Sequence, residues 1–349
     1  MNWLLRWLRR LALLLIGCVV VLVLPVGYVE VACRGEKASG GYLPVVTDPD
    51  WQRAESRTLT TYPEWHIVHA YDDYAQVIAT GDPHDYGFLR SVAGFWTSLC
   101  PLKAQADALG GMTSEQKMTI YTIGVSFTVE LLAKASYEES IGRVATWIRG
   151  GQRAELDDLS ARQAADYARF LQQVPWYQWD FITDIKELEN EGGDSFRDRE
   201  RRFALSNEAI AKAWYATVIA NAVSEMEPDA LRMRSVVTGV SRQALSGLPG
   251  VNVVDERPEG LVIETDRYRA FTRVLESLAQ TGADMVEIAG NDQILLTVTS
   301  AQPTAKDAIH SVKRQGYGDW RHLILLPVSG LTDAIRNMQS GELEHVHDY

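Results

Sequence analysis

Near Pro228 the hydrophobic pattern of this chain changes period. Before that point apolar residues recur at helical spacing; after it they alternate as in strands. A chain patterned this way predicts a helical part followed by an α+β part. Its 349 residues suffice for about two domains with cores of their own. Hydrophobic residues make up 46% of the chain, so the helical part can bury a real core. The boundaries that follow are a helical domain over 61–228, an α+β domain over 229–330 and a tail over 331–349.

In the second part, Arg232–Val240, Val251–Glu256, Leu261–Thr265, Met285–Ala289, Ile294–Thr299 and His322–Val328 read as strands. Ser241–Leu248, Tyr268–Gln280 and Thr304–Arg314 read as helices. Gly290-Asn-Asp292 between two strands signals a tight hairpin turn. The order β-α-β-β-α-β, then β-α-β, resembles a ferredoxin-like split βαβ unit with an extension. That fold hosts many unrelated functions, so the resemblance implies architecture only. The tail from Glu342 to Tyr349 contains His345 and His347 and is expected to be an exposed end.

The N-terminus predicts an address. Arg6, Arg9 and Arg10 precede an uncharged run from Leu11 to Val29, which as a helix spans roughly 28 Å. With Glu30 beyond it, this reads as a transmembrane anchor over 11–31, behind a cytoplasmic stub over 1–10. A cleaved signal peptide is the rival, but the run is too long for its apolar core. The expected fold class is therefore mainly α with a C-terminal α+β part: a membrane-spanning helix, a helical domain and a ferredoxin-like domain. The expected location is the cell membrane, single-pass, with the bulk periplasmic. Residues 32–60, with Gly35, Gly40, Gly41, Pro44 and Pro49, read as a linker. Cys33 and Cys100 are candidates for a disulfide in an oxidising compartment. A net charge of −12 gives no basic footprint for nucleic acid.

Candidate chemistry concentrates in Thr61–Tyr74. Thr61 and Glu64 fit a capping box that opens a helix over 62–80, closed at Thr80-Gly-Asp-Pro83. His66, His69 and Asp73 fall on one face of it, opposite an apolar stripe of Ile67, Tyr71, Tyr74 and Ile78. H-x-x-H-x-x-x-D brings two imidazoles and a carboxylate near enough to share zinc or iron. The same face is better explained as solvated or structural. Trp65 on that side argues for a cover. Thr113-Ser-Glu-Gln116 starts a second helix, apolar all round from Met118 to Leu132 and therefore central. Glu130 on it is a candidate acid or base with Glu64, or an i,i+4 partner of Lys134. Glu138, Glu139 and Arg143 read as its solvated end. Trp65, Tyr121, Trp176 and Trp179 are candidate walls of a ligand pocket.

No phosphate loop, nucleophile elbow or C-x-x-C pair occurs. The leading expectation is a membrane-anchored envelope protein that binds or assembles with a partner. The alternatives are a metal-dependent enzyme using the Thr61–Tyr74 helix, and a binder of an apolar molecule or lipid.

Overall fold

The computed structural model describes residues 2–36, 42–223, 231–338 and 341–349. The stop at Pro228 and the linker glycines Gly40 and Gly41 lie outside them. The chain begins with helices α1 (Asn2–Ala32), α2 (Arg57–Thr60), α3 (Tyr62–Ile78), α4 (Phe88–Ala108), α5 (Ser114–Tyr137), α6 (Arg143–Arg149), α7 (Glu155–Leu171), α8 (Phe181–Asn190) and α9 (Phe196–Val223). Then follow β1 (Arg232–Thr238), α10 (Arg242–Ser246), β2 (Val251–Arg257), β3 (Gly260–Asp266), α11 (Arg269–Thr281) and β4 (Asp284–Ile288). The chain closes with β5 (Gln293–Ser300), β6 (Ala308–Lys313), β7 (Trp320–Pro327), α12 (Leu331–Arg336) and β8 (Glu342–His347).

The membrane anchor is overturned. Among the described residues no helix is long and apolar enough to cross a membrane. The cytoplasmic stub and the single-pass, periplasmic placement fall with it. The physical reason sits at the end of α1. Val29 and Cys33 are buried against the α3–α5 core, with Val26 beside them. Glu30 accepts from Lys117 Nζ at 3.0 Å and from the Tyr121 hydroxyl. The last turns of the uncharged run thus belong to the body. What precedes them, Leu11 to Pro25, spans only about 22 Å, short of a hydrocarbon core of about 30 Å. A Cys33–Cys100 disulfide, with Cα atoms 4.8 Å apart, fixes this end of α1 to α4.

The single ferredoxin-like domain is corrected as well, because the C-terminal part holds two antiparallel four-stranded sheets. The first has the order β2-β3-β1-β4, with α10 and α11 as the crossovers. The second has the order β6-β7-β5-β8. The expected hairpin at Gly290 is a corner between them. Ala289 and Gly290 both take positive φ (51° and 81°), and the chain leaves β4 for a strand of the other sheet. The expected helix Thr304–Arg314 is instead β6, paired with β7. The expected free tail is β8, paired with β5, and His345, Val346, His347, Asp348 and Tyr349 are all at most 2% exposed.

The second sheet is covered on both faces. Ile294, Leu296, Val298 and Val346 share a core with Phe271, Leu275 and Leu278 of α11 and Leu331 of α12. Leu295 and Leu323 pack against Leu59, Tyr62, Leu102 and Ala106 of the helical layer. Residues of the expected linker lie on the first sheet, where Val46 packs with Val236 and Val262. The Val46 amide donates to Glu287 Oε1 at 3.0 Å, and the Val45 amide to the same carboxylate. The helical part and the sheets are therefore built together.

Candidate functional site

The helix α3 starts differently from the capping-box expectation. Thr61 is already helical (φ −80°, ψ −26°) because α2 runs into it, and its hydroxyl donates back to Thr58 O at 3.0 Å. A cap needs extended geometry at that residue. Glu64 is exposed. The H-x-x-H-x-x-x-D face is buried: Trp65, His66, His69 and Asp73 lie at 5–8% exposure under the second sheet. Trp65 stacks on His345 of β8 with ring centroids 3.5 Å apart.

The three candidate ligands do not converge. His66 is held by Ser91 O at 3.1 Å from Nε2 and by the Tyr62 hydroxyl at 3.4 Å from Nδ1. His69 Nε2 faces Glu344 Oε2 at 3.6 Å. Asp73 Oδ2 accepts from the Gln315 amide at 2.9 Å, while Oδ1 lies 3.8 Å from Arg321. Arg321 meanwhile grips Glu344 through Nε at 2.5 Å and Nη2 at 2.7 Å. Each group turns to a different neighbour, His66 to α4 and the other two to the sheet side, so shared helical face does not become shared coordination. The residues present do not fit a zinc or iron centre at His66, His69 and Asp73. Among the described residues one trio has ligand atoms within 4.8 Å of one another: Asp82, His84 and Asp85. Asp82 already clamps Arg149 at 2.7 and 3.1 Å.

Burial sets the protonation here. It pulls His66 down to about 3, with Arg321 and His310 adding repulsion against the Ser91 carbonyl. It pushes Asp73 up to about 7, although Arg321 and the Gln315 amide favour its charge. His69 and His345 are held well below the ordinary range by burial, then by neighbouring cations and histidines. His69 Nε2, Asp73 Oδ1, His345 Nε2 and His347 Nδ1 are buried without a hydrogen-bond partner.

Glu130 belongs to a separate place. It accepts from the Tyr71 hydroxyl at 2.5 Å and from Lys212 Nζ at 2.9 Å, so its expected i,i+4 pairing with Lys134 is not formed. Lys134 instead reaches Glu208 at 3.0 Å. Lys134, Glu208 and Lys212 border a partly open cavity of about 80 Å³ between α3, α5, α7, α8 and α9. Its other walls are Tyr71, Tyr74, Tyr167, Trp179 and Phe181, with Asp184 held by Trp179 Nε1 at 2.6 Å. Trp176 stands behind this wall, packed on Tyr215 at 5.3 Å. Of the four aromatic residues expected to line one pocket, only Trp179 does so. Trp65 is on the β8 side and Tyr121 is tied to Glu30.

The cavity's charges are fixed by each other. Burial opposes the Lys134 and Lys212 ammonium groups, but their neighbours together, led by Glu208 for the first and Glu130 for the second, outweigh it and raise both. Burial would raise Glu208; the two lysines beside it hold it well below the usual range. Lys212, Glu208, Tyr71 and Tyr167 are the residues that reading the sequence missed. The usable signal was Lys212 itself, the single charge inside Ala209–Ala220, an otherwise apolar stretch apart from Thr217. Such a lysine has to find an acid.

No family model matches the chain, and neither a curated protein nor a solved structure matches it.

Proposed function

We propose that this protein is a non-enzymatic binding module whose small, largely apolar ligand occupies the cavity between α3, α5, α7, α8 and α9. The observation that carries this reading is the cavity's composition: aromatic walls of Tyr71, Tyr167, Trp179 and Phe181 beside a fixed set of charges. Concave, mainly apolar sites with a few placed polar groups are the usual form of ligand sites. Binding is favoured over proton transfer by the ionisation of those charges. Lys134 and Lys212 are raised and Glu208 is lowered, so none is poised near neutral pH as an efficient acid or base would be.

The test is to fill the cavity. Ala209 lies on its wall and is 7% exposed. Ligand-observed NMR with small apolar probes such as cyclopentane should detect binding to the full chain. Ala209→Leu should weaken that binding about tenfold or more, the equivalent of about 1.4 kcal/mol. Equal binding by a folded Ala209→Leu chain would rule the cavity out as the site.

A further inference from the structure

Lys134 is a buried cation with too few acceptors. Its side chain is 12% exposed, and among the described residues it meets one oxygen, Glu208 Oε1 at 3.0 Å, and one ring face, Tyr74 at 4.4 Å. An ammonium group has three donors. Lys212, its neighbour across Glu208, has all three engaged: Glu130 Oε1 at 2.9 Å, Glu208 Oε1 at 2.9 Å and the Tyr71 hydroxyl at 3.2 Å. Lys134 also lines the cavity. A charged donor left short of acceptors away from bulk water is costly, so an occupant that supplies an oxygen there gains more than one that does not.

We propose that the ligand of this cavity is an uncharged molecule with a carbonyl or similar oxygen, which accepts from Lys134 while its apolar body lies against Tyr167, Trp179 and Phe181. This rests on the cavity being the ligand site. The absence of charge on the ligand follows from the balance of the walls. Lys134 and Lys212 are matched by Glu130 and Glu208, which already converge on the two ammonium groups. A carboxylate would add a fifth charge beside Glu208, with Asp184 also on the wall. Burial and the neighbouring Glu187 and Asp180 already push Asp184 toward its neutral form, with Trp179 opposing. Further negative charge is unwelcome there. The cavity's 80 Å³ is about half the roughly 150 Å³ of an apolar cavity that holds benzene, which sets the ligand's buried body at a few carbon atoms.

The experiment compares three probes of matched size on the full chain: cyclopentanone, cyclopentane and cyclopropanecarboxylate. Cyclopentanone should bind about tenfold more tightly than either of the others. Its carbonyl stretch, read by infrared difference spectroscopy, should move to lower frequency on binding. Lys134→Met should abolish both the shift and the advantage over cyclopentane. If cyclopentane binds as well as the ketone and the carbonyl band does not move, the assignment to Lys134 is wrong but the cavity stands as a site. If the carboxylate binds best, the uncharged head is wrong. If no probe binds, the proposed function fails together with the inference. Should Lys134→Met not fold, the infrared shift in the unaltered chain still decides.

Discussion

At the scale of single residues, Arg201 is a costly side chain to lose. It is fully buried, donating to Glu138 at 2.9 and 3.2 Å and to Glu200 at 2.6 and 2.9 Å. Glu200 also holds Arg197, which in turn holds Asp157 at 2.8 Å. Arg201→Met leaves two nearly buried carboxylates facing each other, and breaking such a cluster by removing one partner costs about 3–5 kcal/mol. The expected outcome is a drop of that size in urea-unfolding stability, while Arg143→Met, whose side chain is 52% exposed, should be nearly silent. The contrast explains a failure of sequence reading. Glu138, Glu139 and Arg143 look alike as a solvated helix end, and Glu139 and Arg143 are indeed exposed. Glu138 is 3% exposed because it falls seven residues after Leu131, on the face of α5 that buries Gly124, Phe127 and Leu131, where Arg201 meets it.

At the scale of elements, two contacts set how the helices meet their neighbours. The first is α4 against α5. A Cβ built on Gly124 would lie 2.4 Å from Phe95 Cε1 and 2.9 Å from its Cζ, and Phe95 is fully buried. Gly124→Ala should therefore destabilise by about 1–3 kcal/mol through overpacking, seen as a lower thermal midpoint, despite alanine's better helix propensity. The second is α3 against β8. His66 and His347 are held at about 3 by burial, and His69 and His345 are also lowered. The unfolded chain takes up these protons below about pH 6.5 and the folded one does not, so their contribution is complete above that pH and is lost as pH falls. Asp73 at about 7 and Asp348 at about 6 act in reverse, since the folded state keeps protons that the unfolded state has released. Arg314, Arg321 and Glu344 face the same contact. Four histidines against two aspartates leave about two protons, so this contact should contribute a fall in stability of about 3 kcal/mol per pH unit between about pH 6 and pH 5. Urea midpoints across that range, and a slope smaller by about one proton in His347→Gln, check it. What was legible at this scale follows local rules. Thr113 and Gln116 cap α5 reciprocally, at 3.1 and 2.8 Å, as the spacing of those residues demands. β6 was not legible: its residues Ala308–Val312 are all half-buried with a register shift near Ala308, so no alternation marks it as a strand.

At the scale of the whole molecule, the last eight residues couple the helical part to the sheets. β8 flanks β5, and His347 O accepts from Thr58 Oγ1 at 2.6 Å while the same hydroxyl accepts from the Leu295 amide at 2.9 Å. One threonine from the helical layer thus bonds to two adjacent strands. Val346 and Tyr349 are fully buried in the core shared with α11. Burying two such side chains is worth about 1.5–3 kcal/mol each, before the ladder to β5 and the Trp65–His345 stack are counted. That sum is a large part of the 5–15 kcal/mol by which most folded chains are stable. A chain ending at Gly341 should therefore lose its cooperative unfolding transition rather than an ornament. The full chain should unfold in one step, with far-UV circular dichroism, dominated by the helices, and the near-UV tyrosine and tryptophan signals changing at the same urea concentration. In the shortened chain the near-UV signal should be lost first, because the cover over α3 is gone while helices packed on α5 and α9 persist. Two coincident transitions in the shortened chain, at the stability of the full one, would mean that the two layers stand independently and that β8 is no more than an edge strand.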